Sequence, residues 1–269
     1  MKQITFTYLI AAMCTACLFM SPAFAESDVE LAKKLSNPIA SLISVPFQYN
    51  YDSDYGVADD GKRHNINIQP VIPFDLNPEW NLISRTILPL VDQDDIPSGS
   101  GGKSGIGDVV QSLFFSPKAL TSGGLTWGVG PAILLPTASD DLLGNGKWGL
   151  GPTGVALKQQ GPWTYGALAN HIWSVAGDDD RADISKTFLQ PFLSYTTPTA
   201  TTYGLNTESV YDWEVNKWIV PINLTASQLM KLGDQRVSMG GGIRYWAQSP
   251  DGGPEGWGGR LFMTLLFPK

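Results

Sequence analysis

The sequence predicts an all-β fold: a single up-and-down antiparallel transmembrane β-barrel of twelve strands, preceded by a short periplasmic helix. Three observations carry that prediction. Runs of about ten residues alternate between apolar and polar side chains, and the connectors between them alternate between long acidic and short neutral. No stretch of about 18 consecutive apolar residues follows residue 25.

The alternation is clearest between Thr202 and Leu229. Tyr203, Leu205, Tyr211 and Trp213 occupy odd positions, whereas Gly204, Asn206, Glu208 and Asp212 occupy even ones. After a turn at Glu214 to Lys217 the pattern restarts, with Trp218, Val220, Ile222, Leu224 and Ala226 on one face and Pro221, Asn223, Thr225 and Ser227 on the other. A period of two marks a strand with one apolar and one polar face. Each run is long enough to cross a bilayer as a tilted strand, and Trp213, Trp218 and Tyr203 fall where an interfacial girdle is expected.

From the start of the chain, Lys2, the apolar stretch Ile4 to Met20 and the small residues Ala23 and Ala25 read as a secretory signal peptide over residues 1–25. Cys14 and Cys17 both lie inside it, so the mature chain is expected to have no thiol chemistry. Residues 26–38 read as a short helical segment. Ser27-Asp28-Val29-Glu30 has capping-box spacing, and Asn37-Pro38 stops the helix.

Residues 39–269 read as one barrel domain, since no linker composition divides them. The twelve runs fall near 39–51, 63–74, 79–91, 105–116, 124–137, 147–160, 162–176, 184–197, 201–213, 218–230, 235–249 and 257–267. Their odd connectors are assigned Asp52, Asp54, Asp59, Asp60, the Asp178 to Asp180 group and other acids, 16 of the 25 acidic residues. Their even connectors, such as Asp75 to Pro78 and Thr197 to Ala200, are short. That parity is expected of long outer loops and short periplasmic turns. Prolines inside the runs, among them Pro46, Pro70, Pro89, Pro131, Pro152, Pro191 and Pro221, predict bulges or bends, because proline removes a ladder donor.

Composition narrows the function. A net charge of -7 argues against nucleic-acid binding. Gly149 to Gly154 fits a dinucleotide fingerprint on paper but lies in a strand-like run, and Gly102-Lys103-Ser104 lacks the first glycine and the helix of a phosphate loop. No cofactor is expected. The aspartate clusters lack the glycine and terminal glutamate of a calcium loop, so no metal site is assigned. His64 and His171 are the only histidines, neither in a recognisable catalytic motif, so no catalytic residue is assigned.

Charges within spanning runs are more informative. Arg85, Glu208, Arg244 and Arg260 would each cost roughly 2–4 kcal/mol on the lipid face, so they are expected to line the lumen. There they form either a selective constriction or a structural ion-pair network.

Leu31 to Pro38, Asn81 to Pro89, Trp127 to Pro131, Gly161 to Gly166 and Ser249 to Asp251 resemble an outer-membrane barrel family named for meta-pathway phenol degradation, or simply transporter. The resemblance covers nearly the whole mature chain and implies a barrel with a role in solute passage. The expected function is an outer-membrane channel or transporter for small solutes, aromatic or hydrophobic ones included. The alternative is a structural or surface-interaction barrel with a plugged lumen, and an enzyme is not expected. Expected partners are outer-membrane lipids, a small-molecule solute and the barrel-assembly machinery of a Gram-negative cell.

Overall fold

The structure is a computed structural model that describes residues 27–56 and 58–268; the signal-peptide assignment lies outside the described residues. Twelve staves form the wall. They are β1 (Ile43–Tyr55), β2 (Gly61–Ile68 continued by Val71–Asp75), β3 (Trp80–Asp94) and β4 (Lys103–Ile106 continued by Val109–Pro117). Next come β5 (Leu125–Leu135), β6 (Lys147–Gln160), β7 (Trp163–Gly177) and β8 (Ser185–Thr196). The last four are β9 (Thr201–Thr207 continued by Ser209–Asp212), β10 (Lys217–Leu232), β11 (Gln235–Gln248) and β12 (Trp257–Phe267). Each pairs antiparallel with the next, and β12 returns to β1 from Ile43↔Phe267 to Tyr51↔Gly259. Closure leaves no unpaired edge, which a hydrocarbon environment demands.

The alternation has the physical consequence expected of it. Leu150, Leu205, Ile222, Leu224, Ile243 and Leu261 point outward and form an exposed apolar band. Aromatic rings border the band at both ends. Trp148, Trp173, Trp213 and Trp257 lie near the long loops, and Trp80, Trp127, Trp163 and Tyr203 near the short turns. This is the outer surface of a membrane-spanning barrel, and short turns mark the periplasmic end of such barrels.

The N-terminal helix, α1 (Asp28–Leu35), is capped as the sequence predicts, with Glu30 N–H donating to Ser27 Oγ at 3.3 Å. Eight residues cannot hold a helix alone in water. Here Leu31, 0% exposed, and Ala32 pack with Ala40, Leu42, Ala200, Leu229 and Leu266 inside the periplasmic mouth. Asp28 pairs with Arg236 at 3.0 Å, and Gln159 donates to the Lys33 carbonyl.

β1 therefore starts at Ile43 and not at Ile39. Ile39 enters the barrel instead, burying itself against Val71, Ile83, Phe114, Val155, Leu157 and Leu168. Its other end also differs from expectation: β1 runs to Tyr55, so Asp52 belongs to the wall and not to the first outer loop.

The prolines act in two ways. Pro221 marks a register shift between β10 and β11, as expected of a bulge. Pro131 and Pro152 instead stand opposite each other across β5 and β6, and the ladders on their far sides lapse. β4–β5 passes from Ser112↔Ala132 to Phe115↔Val129, and β6–β7 from Leu150↔Trp173 to Thr153↔Asn170. Pro46, Pro70 and Pro89 have no donor to offer but still accept, from the N–H groups of Gln69, Thr86 and Gly107.

Candidate functional site: charged cluster and lumen cavity

Glu208 sits on β9 where its ladder to β10 lapses, between Thr207↔Ile222 and Val210↔Ile219. The residue across the gap is Pro221, which has no N–H to give. Arg260 on β12 donates from Nη1 and Nη2 to the two Glu208 carboxylate oxygens at 2.9 and 2.7 Å, and from Nε to Asn50 Oδ1 at 2.8 Å. Arg244 on β11 donates to Glu208 at 3.1 Å, to Asp52 on β1 at 2.9 Å and to Asn223 on β10 at 3.0 Å. Both arginines are buried, at 3% and 6% exposure.

Partners on non-adjacent staves can meet only across the concave face of the wall, so the cluster lies inside the barrel. It spans β9 to β1, five neighbouring staves. The backbone makes room for it. A side chain at Gly258 would run into the Asp52 carboxylate, and one at Gly240 would strike the Phe262 ring. Asp52 is held further by Trp246 Nε1–H at 3.0 Å, and Trp246 lies 5.2 Å from the Arg244 guanidinium carbon.

Of the four sequence candidates, Arg244, Arg260 and Glu208 come together in this cluster. Arg85 on β3 does not: its Nη2 donates to Gln69 Oε1 at 3.0 Å. Arg85 and Arg260 instead both line a cavity of about 300 Å³ inside the barrel, with α1 among its other walls. Sequence reasoning missed Asp52, Asn50 and Asn223. The signal was the even-numbered polar series Gln48, Asn50, Asp52, which continues the inward face of β1.

The remaining motifs fall on the wall or its loops. Gly149 to Gly154 lies within β6, and Gly102-Lys103-Ser104 opens β4. His64 Nδ1 shares a hydrogen bond with the Tyr49 hydroxyl at 2.8 Å, and His171 Nδ1 shares one with Thr187 Oγ1 at 2.7 Å. At the long-loop end, Arg181 donates to the carbonyls of Asp141, Gly144 and Asn145, tying the β7–β8 loop to the β5–β6 loop. Asp140 in that second loop accepts from Leu142 N–H and Lys103 Nζ, which together hold its carboxyl below the usual aspartate range.

The class follows from the closed wall, the apolar band and the polar interior: this is a twelve-stranded outer-membrane β-barrel, located in the outer membrane. No protein-family profile and no curated protein sequence matches the chain. Among solved structures it is similar to an outer-membrane channel from Pseudomonas putida F1, at 16% identity and a TM-score of 0.66, over 93% of this chain and 100% of that one. It is also similar to the NanC porin, at 12% identity and a TM-score of 0.50, over 83% of this chain and 98% of the porin. At these identities the likeness is one of fold.

Proposed function

We propose that the protein is an outer-membrane channel for small solutes, and that Arg85, Arg244, Arg260 and Glu208 line its path. The observation that carries this reading is the cavity of about 300 Å³ between the charged wall and α1. A barrel serving only as scaffold has no need of a hollow lined by both guanidinium groups and phenylalanine rings. Phe192 and Phe262 in its lining favour solutes with aromatic or hydrophobic parts. The sequence resemblance to a phenol-degradation-associated barrel family, and the fold likeness to a channel and a porin, point the same way.

Purified protein should conduct ions in planar bilayers. Arg85→Ala or Arg244→Ala should change its ion selectivity while heat-modifiable gel migration shows an assembled barrel, because a lumen substitution tunes passage more than insertion. The plugged structural barrel is the second reading, favoured by the burial of α1 in the mouth. No conductance, with solute uptake unchanged in a deletion strain, decides for it.

A further inference from the structure

Arg85 differs from the other interior cations in its company. Arg244 is ion-paired to Asp52 and Glu208, and Arg260 to Glu208. Arg85 makes no ion pair among the described residues; its hydrogen-bond partner is the neutral amide of Gln69. Three guanidinium groups thus share the two carboxylates of Asp52 and Glu208, and the positive charge left over sits at Arg85. A guanidinium stays charged even when desolvated, so this surplus is permanent.

The cavity beside it has the matching character. Its charged lining residues are Lys34, Arg85 and Arg260, with no carboxylate among them. Ser194, also in the lining, has a buried Oγ with no hydrogen-bond partner among the described residues. The rest of the lining includes Phe192, Phe262 and Leu42, which favour apolar contact. An inorganic anion answers the charge but wastes the rings; a neutral aromatic answers the rings but leaves the charge.

We propose that this cavity binds a monocarboxylate with a compact apolar body, its carboxylate on Arg85 and its hydrocarbon against Phe192 and Phe262. Guanidinium and carboxylate match as a planar, two-bond pair, and a volume of about 300 Å³ is at the small end of ligand pockets. The inference deepens the channel reading by naming the solute class, and rests on it only for the step from binding to passage.

Benzoate is the probe, titrated by calorimetry into detergent-solubilised protein. The wild type should bind it, Arg85→Gln should weaken binding at least about tenfold, and Arg85→Lys should retain part of the affinity. Asp179→Asn, in an outer loop, should bind as the wild type does. Benzyl alcohol and chloride should each compete poorly with benzoate on the wild type, a comparison that stands even if Arg85→Gln fails to assemble. Equal affinity in wild type and Arg85→Gln, displacement by chloride at equal concentration, or no binding at millimolar benzoate overturns the proposal. Conductance without benzoate binding overturns this site and leaves the channel; binding without conductance keeps the site and overturns the channel.

Discussion

Arg260 grips the Glu208 carboxylate with two parallel hydrogen bonds of 2.9 and 2.7 Å, although β10 and β11 stand between their staves. Among the described residues, Glu208 is thereby the one acid paired with two buried guanidinium groups, since Arg244 reaches it as well. Its loss should act on charge before it acts on shape. Glu208→Gln is isosteric but leaves the cluster with one fewer negative charge. The variant channel should shift toward anion selectivity, read from the reversal potential across a bilayer under a salt gradient. Stripping a buried pair of one partner costs about 3–5 kcal/mol, so its unfolding midpoint in denaturant should fall.

The seat of α1 gives a second prediction. Leu31 is fully buried among Leu42, Leu229 and Leu266, so Leu31→Glu places an unpaired charge in an apolar pocket. The helix should leave the periplasmic mouth while the wall, held by its own ladders, stays closed. Single-channel conductance should rise above that of the wild type. An unchanged conductance means that the helix does not limit passage.

The orientation of the barrel rests on its long loops and short turns. Cysteines placed at Asp94 or Asp179 should react with a membrane-impermeant label on whole cells, whereas cysteines at Asn77 or Thr199 should react only after the outer membrane is permeabilised. All four positions are exposed, so differential labelling reports side and not burial. Equal labelling on intact cells refutes the orientation.

A pH effect belongs to the outer loops. The Asp140 carboxyl is held below its ordinary value of 3.8 chiefly by the Leu142 N–H and then by Lys103. A group whose folded pKa is depressed contributes stability above its unfolded value and loses it as pH falls through the folded one. The β5–β6 loop should therefore keep constant protease resistance from pH 7 to pH 5 and loosen only below 3.8. Asp140→Asn should lose that acid dependence.

The wall was legible in the sequence because a membrane barrel must alternate, and alternation survives in Tyr203 to Trp213 and Trp218 to Ala226 without knowledge of any partner. The expectation that Arg85, Glu208, Arg244 and Arg260 face the lumen rests on the cost of a charge in lipid. What stayed hidden depended on registry between distant staves. Asp52 looked like one more acid in an acidic loop, and only its approach to Arg244, 192 positions away in the chain, shows its interior role. The separate position of Arg85 was hidden for the same reason, since all four charges look alike in a list of strand residues. The prolines were expected to make bulges, but the facing of Pro131 and Pro152 requires knowing that β5 and β6 align those two positions.

The pocket that receives α1 also sets an order of events during biogenesis. Leu31 lies in the first eighth of the chain, yet Ala200, Leu229 and Leu266, against which it packs, come from the last third. Contacts between such distant positions form late, because closing a long loop must precede any gain from burial. The helix therefore has no home until β12 has joined β1. A protease that cuts near Leu31 would attack nascent and half-built barrels and spare finished ones, making the N-terminus a chemical record of whether assembly was completed.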